Sequence, residues 1–277
     1  MTILSCVAEA LAAPLDGCSL VPTMGALHDG HIQLIRAAFE FGRPVAVSIF
    51  VNPTQFGANE DFTKYPRDLS KDLELLKSER VSWIFAPTAT DIYPRVSTMI
   101  HVPEVTEEFE GALRPGHFDG VATVVCKLIQ ICRPYHVIFG LKDLQQCAVL
   151  KRMSEDLNLA QKLHFNETVR DEDGLAKSSR NVYLSASERQ IAPVLYSQIE
   201  ACVNELVGGG SVSAALSKSR TALEQSGFQT EYFDLIDIDR FRSASKISDR
   251  SAVIVAARLG ATRLIDNALL FPTRALL

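Results

Sequence analysis

Between about residue 19 and residue 165 the chain repeatedly changes its hydrophobic period. Short apolar runs, "CSLVPT", "PVAVSIFV", "VSWIF" and "YHVIFG", alternate with longer amphipathic stretches, "HIQLIRAAFEFG", "DLSKDLELLKSE", "GVATVVCKLIQIC" and "LKDLQQCAVLKRMSEDL". Apolar runs of this length read as strands buried on both faces, and intervening helices supply that cover when they cross over a parallel sheet. The alternation predicts an α/β domain with a mostly parallel sheet. Local signals agree with it. Gly42 ends the first of these helices, Asp68 is placed to cap the second, and Pro87 closes the "VSWIF" strand. The opening "MTILSCVAEALAAPLDG" reads as a helix; it has no Lys or Arg before its apolar middle and so lacks the pattern of a secretory leader.

The pattern changes near residue 165. "HFNETVRDEDGLAKSSRNVYLS" is polar and carries an Asp-Gly turn. Two helical runs follow, at roughly 187–207 and 211–226, with "GGGS" between them as a flexible break. Two strand-like runs, "TEYFDLID" and "SAVIVAARL", complete a smaller α+β unit. The expected division is residues 1–168 and residues 169–277, with the "SSRN" loop close to the junction.

Charge and cysteine content narrow the class. The 277-residue chain has a formal net charge of −5, which argues against a general nucleic-acid binder, so an anionic ligand would need a local concentration of positive groups. No apolar run is long enough for a membrane span. The six cysteines show no CxxC and no paired framework, as expected of reduced thiols in a cytoplasmic protein.

The segment richest in chemistry is "VPTMGALHDGHIQLIRAA". His28 and His31 sit three apart at a strand-to-helix turn, and Gly25 and Gly30 permit close backbone approach. Zinc ligation would need further ligands that the stretch does not offer. A helix starting near Gly30 points unpaired N–H groups and positive dipole at the turn, where two imidazoles can also donate to phosphate oxygens. The residues describe an anion site.

"PTMGALHDGH" resembles the HxGH element of nucleotidyltransferases related to class I aminoacyl-tRNA synthetases, and the longer string resembles the pantothenate synthetase family. The likeness continues in order through "SIFVNPTQF", "YPRD", "RPGHFDGVATVV", "FGLKDLQQ", "DGLAKSSRN" and "RLGATRLIDN". It implies a Rossmann-like nucleotide-binding domain, a smaller C-terminal lid domain and a homodimer. It also implies ATP-dependent joining of pantoate to β-alanine through a non-covalently held pantoyl adenylate, with Mg²⁺ accompanying ATP. Carried over residue by residue, His28, His31, Lys142, Ser178, Ser179 and Arg180 serve the phosphates. Gly30, Asp143 and Lys177 lie beside the nucleotide, though Asp143 could equally be a helix cap. Met24, Gln55 and Gln146 hold pantoate, and Asn52 lies near the adenylate. Arg114 and His117 sit at the edge of the site or simply form a rigid turn with solvated side chains. Asp61 is the carboxylate implied for Mg²⁺.

Two positions depart from the family pattern. Leu141 stands where Glu usually precedes the Lys-Asp pair, and Lys177 stands where Met usually precedes "SSRN". Both changes make the local field more positive. Two rival readings stay open at this level: another HxGH nucleotidyltransferase with a different acceptor, and an inactive homologue that acts as a scaffold.

Overall fold

The computed structural model describes residues 1–58, 60, 62–95 and 98–271, which fall into two compact units. The larger comprises Met1–Leu141 and Val149–Glu167, and the smaller comprises Lys142–Ala148 and Thr168–Leu277.

The larger unit runs β1 (Thr2–Leu4), α1 (Val7–Ala12), β2 (Ser19–Thr23), α2 (Asp29–Phe39), β3 (Val45–Ile49), α3 (Leu69–Lys77), β4 (Trp83–Phe85), α4 (Ala89–Ile92), α5 (Phe109–Leu113), α6 (His117–Cys132), β5 (His136–Gly140), α7 (Leu144–Asp156) and β6 (Lys162–Asn166). The first turn of α7 groups with the smaller unit. All six strands are parallel, in the order β1-β4-β3-β2-β5-β6. This is a Rossmann-like sheet. The chain leaves β2 towards β3 on one side and later returns as β5 on the other. Ligands of such sheets bind outside the carboxyl ends at that reversal.

The core follows from the period of each element. Val21 of β2, Val45 and Val47 of β3, Ile84 of β4 and Ile138 of β5 are fully buried. Ile32, Ile35 and Ala38 recur at helical spacing and turn the same face of α2 into that cluster, while Gln33 and Arg36 are exposed. Asp68 caps α3, its carboxylate accepting from Lys71 N at 3.0 Å, as its sequence position predicted.

The smaller unit contains α8 (Ala186–Ile191), α9 (Val194–Val207), α10 (Val212–Gln225), β7 (Gln229–Asp237), β8 (Arg242–Ser243), β9 (Ser251–Leu259) and β10 (Thr262–Leu269). Its strands form an antiparallel sheet in the order β10-β9-β7-β8. Leu195, Ile199, Cys202 and Leu206 of α9 pack into a core with Leu223, Phe233, Leu235, Val253 and Val255. No helix among the described residues is long and apolar enough to cross a membrane.

Three local expectations need correction. The N-terminus begins with a strand, since Thr2–Leu4 pairs with Trp83–Phe85 before α1 starts. The polar stretch from residue 165 begins inside an edge strand, β6, whose half-exposed residues hide the buried-strand pattern. The helical run 187–207 is two helices. Ser185 caps α8, and Pro193 precedes α9, where a missing N–H is tolerated.

Candidate active site

In the larger unit, the segments leaving β2 and β3 carry the sequence-derived candidates Met24–His31 and Asn52–Gln55. Thr23 joins the two strand ends: its hydroxyl donates to Ser48 O at 2.7 Å and accepts from Gly25 N at 3.3 Å. Gly25 has φ +80°, and a Cβ there would lie 2.9 Å from Asp72 Oδ2 and 3.2 Å from Ile49 Cγ2. Glycine is therefore required by conformation and by space.

Asp72 went unnoticed in the sequence. It lies on the buried stripe of α3 with Leu76, and its carboxylate accepts from Ala26 N at 3.0 Å and Leu27 N at 2.8 Å. Burial raises its pKa, and the two backbone donors partly offset that rise. The available signal was its helical phase. A carboxylate four residues before Leu76 on an apolar stripe must find buried donors.

The turn then enters α2 through its two histidines. His28 is the N-cap, its Nδ1 accepting from Gly30 N at 3.1 Å, and His31 Nδ1 accepts from His28 N at 3.3 Å. This is a capping box made of imidazoles. The ring centroids are 4.1 Å apart. An Nδ1 that accepts a backbone hydrogen must keep its lone pair, so the proton of each neutral ring belongs on Nε2. Each ring thus spends one nitrogen on the backbone and has an N–H donor at the other.

Asn52 and Gln55 are buried. Asn52 Nδ2 donates to Gln55 Oε1 at 3.0 Å and to Gly120 O at 3.1 Å. Its Oδ1 accepts from the Thr54 hydroxyl and Tyr93 hydroxyl, both at 2.9 Å, and more weakly from Thr54 N at 3.4 Å. The amide of Asn52 is thus saturated by its own turn together with Tyr93 and Gly120. It orients Gln55, whose Nε2 lies 3.2 Å from Met24 Sδ. The turn packs so closely on α6 that a Cβ at Gly120 would stand 2.5 Å from Thr54 O.

His117 is buried and Arg114 half-buried, and together they form a strut, not a turn with solvated side chains. His117 Nδ1 donates to Gln55 O at 2.7 Å, and Arg114 Nη1 donates to His117 Nε2 at 3.1 Å. These partners fix the neutral tautomer with hydrogen on Nδ1. Burial, and secondarily the Arg114 charge, lower the His117 pKa to about 4. Arg114 also grips Glu60 with two bonds of 2.7 and 2.6 Å. Burial would raise the Glu60 pKa, but the hydrogen bond and charge of Arg114 outweigh it and hold it low. Asp61 lies outside the described residues.

In the smaller unit, Lys142 and Gln146 are half-buried and Asp143 is exposed. Lys142 O accepts from Asn267 Nδ2 at 2.9 Å. Leu141, the first departure from the family pattern, is a buried residue at the end of the first segment of the larger unit. Lys177, the second, does not add an unmatched charge: its Nζ is 2.7 Å from Asp171 Oδ1, and Asp171 also pairs with Arg189 at 3.0 Å. Ser178 caps the short 3-10 turn Ser179–Tyr183, accepting from Arg180 N at 3.3 Å. Ser179 and Arg180 follow in that turn, half-buried. Among the described residues, no group of three or more His, Cys, Asp or Glu side chains could hold a metal ion.

Comparison with known proteins establishes the family. The family model described as pantoate-beta-alanine ligase matches residues 4–269. A pantothenate synthetase from a Roseiflexus species is 44% identical over 276 residues, covering 98% of this chain and 99% of that protein. The crystal structure of pantothenate synthetase from Thermus thermophilus superposes with a TM-score of 0.94 at 43% identity, covering 98% of this chain and all of the other. A pantoate-beta-alanine ligase from Francisella tularensis, solved with β,γ-ATP and β-alanine, gives a TM-score of 0.82 at 33% identity, with 98% of each chain covered. The chain belongs to the pantoate–β-alanine ligase family.

Proposed function

We propose that this ligase joins pantoate to β-alanine at the expense of ATP, through a pantoyl adenylate that is never bonded to the protein. A carboxylate oxygen is a poor leaving group towards an amine, so the acid must first be activated. In the first step a pantoate carboxylate oxygen attacks the α-phosphorus of ATP, the α–β phosphoanhydride bond breaks, and pyrophosphate leaves. In the second, the β-alanine amine attacks the acyl carbon, AMP leaves with the former carboxylate oxygen, and the nitrogen gives up a proton.

The observation that carries this reading is the mutual capping of His28 and His31 at the carboxyl end of β2. It aligns two imidazole donors with the positive end of α2 and commits both Nδ1 atoms to backbone N–H groups. Donors fixed beforehand stabilise charge that grows on phosphoryl oxygens without having to reorganise. In the proposed roles, Lys142, Ser178, Ser179 and Arg180 add positive charge and hydroxyl donors to the same phosphates, and Asp143 orients the ribose. Gln55 holds pantoate with Gln146, while Met24 offers an apolar wall for the dimethyl group. An amide nitrogen carries two hydrogens, so the contact of Gln55 Nε2 with Met24 leaves one for a pantoate oxygen. Asn52, Arg114 and His117 keep Gln55 in place. Residues 1–168 are proposed as the nucleotide and pantoate domain and residues 169–277 as the lid domain, with Lys142–Ala148 grouping with the latter.

Mg²⁺ belongs to the same proposal. It takes one or two carboxylates and completes its shell with phosphate and water oxygens. Asp61 is the carboxylate proposed for that role. When bound, the ion offsets charge on the polyphosphate. The homodimer is likewise proposed, and light scattering at twice the chain mass is its test.

Incubation with ATP, pantoate and β-alanine, with products identified by mass, tests the function. Pantothenate and AMP in equal amounts are expected. ADP would replace adenylation by γ-phosphoryl transfer. AMP without an amide would favour another acceptor, and absence of ATP turnover by folded protein would favour a scaffold.

A further inference from the structure

Two adjacent residues of β10 have no part in the roles above, yet between them they anchor segments of the smaller unit that carry residues proposed to serve the phosphates. Asp266 is buried and receives the Arg170 guanidinium on both oxygens, at 2.6 and 2.9 Å, while the Tyr196 ring lies 3.3 Å from that guanidinium. Arg170 pairs across a short hairpin with Ala176, and Lys177 N donates to Val169 O at 2.9 Å. Fixing Arg170 therefore fixes the strand that runs directly into Lys177–Arg180. The neighbouring Asn267 donates Nδ2 to Lys142 O at 2.9 Å. Its own N–H donates to Asp266 Oδ1 at 2.8 Å, so the two anchors share one carboxylate. β10 also packs against the turn Ser179–Tyr183.

We propose that Asn267 is a positioning residue for Lys142 and that, through Asp266, it ties Lys142 to the hairpin carrying Lys177–Arg180. The proposal rests on the assignment of Lys142 and Arg180 to the triphosphate. A lysine is a point charge on a flexible stem, and its effect on a phosphate depends on where its backbone is held. Setting that backbone and the serine–arginine turn on one strand means their relative placement is settled before ATP arrives. This explains why Lys142–Ala148 groups with the smaller unit although it directly follows β5 and Leu141.

A double-mutant cycle tests the proposal, read by ATP–pyrophosphate exchange with saturating pantoate. Asn267→Asp preserves shape but replaces the donor with an acceptor facing the Lys142 carbonyl. Asn267→Ala simply removes the donor and serves as the second variant. Each lowers the exchange rate by about tenfold to a hundredfold, the scale of an ångström-sized misplacement, while KM for pantoate changes less than about twofold. In a Lys142→Ala background the same substitutions add less than about twofold, because nothing remains to be positioned. A cycle with Arg180→Ala is also non-additive, by about threefold or more. Equal losses with and without Lys142 would make Asn267 merely structural and overturn the proposal. Strict additivity with Arg180→Ala would overturn the tie. A Lys142→Ala protein with normal exchange would instead overturn the underlying role of Lys142, a failure distinct from either of these.

Discussion

The histidine turn of the larger unit and the serine–arginine turn of the smaller one are proposed to meet the same polyphosphate, yet they are built by opposite means. Residues 28–31 hold themselves. Two imidazoles close a capping box with backbone N–H groups no more than three residues away. Residues 177–180 are held from a distance, by ion pairs from Lys177 to Asp171 and from Arg170 to Asp266, the latter 96 residues apart in sequence. The first arrangement suits donors that must sit at fixed positions near a reacting phosphorus. The second suits a body that contributes charge and tolerates some freedom. It follows that the two turns should differ in their sensitivity to substitution, pH and salt.

The largest effect is expected in the histidine turn. His28→Ala and His31→Ala should each slow adenylation by about a hundredfold or more, equivalent to roughly 3–4 kcal/mol for a lost preorganised donor. Loss of the cap should cost about 1 kcal/mol of stability. Single-turnover kinetics and thermal melts measure the two separately. A melt shift without a rate change would reduce the histidines to caps.

The strut beneath Gln55 supplies the next effect, and it is a pH effect. The pKa of His117 is lowered from 6.5 to about 4 in the folded protein, so between those values the unfolded chain binds more protons. Stability from this group is complete above about pH 6.5, declines as pH falls towards 4, and is flat below. The full span amounts to about 3 kcal/mol at 1.36 kcal/mol per pKa unit. Urea melts of wild type and His117→Gln from pH 4 to 7 should therefore diverge, with wild type gaining relative stability as pH rises. Parallel curves would show that His117 titrates normally.

Asp72 comes third. Asp72→Asn puts an amide against the backbone N–H groups of Ala26 and Leu27 and leaves one of them without an acceptor, at a cost of about 2 kcal/mol. Denaturant melts should detect this, and loosening of the turn should slow exchange as well. Lys177→Met is expected to do least. Its charge is already matched by Asp171, and a partly exposed ion pair contributes about 1 kcal/mol or less. ATP affinity and its salt dependence, followed by calorimetry at two ionic strengths, should change by less than about threefold. A large loss of salt dependence would place the ammonium on the triphosphate.

The same contrast explains what could be read from the sequence. The alternating periods disclosed β2, β3, β4 and β5 because these strands are mostly buried and largely apolar. β1 and β6 escaped because they are edge strands, one only three residues long and the other half-exposed. The histidine turn was legible for a physical reason: its cap, its glycines and its helix lie within a few residues of one another. The likeness to the family added Lys142 and the serine–arginine turn, but neither likeness nor pattern disclosed what holds them. Asn267 reaches Lys142 across 125 positions, and Asp72 reaches Ala26 across 46. Such contacts leave no local signature beyond a polar residue in an apolar phase. The solvated-turn alternative for "RPGH" fails for the same reason, because nothing near His117 in sequence reveals the bond from its Nδ1 to Gln55 O, 62 positions away.

Adenylation before amide formation is the central claim, and isotope exchange tests it most directly. With ATP, labelled pyrophosphate and pantoate but no β-alanine, label should enter ATP; it should not do so without pantoate, and Lys142→Ala should suppress it strongly. Exchange that required β-alanine, or ADP released in place of AMP, would contradict a separately formed pantoyl adenylate even if pantothenate were still produced.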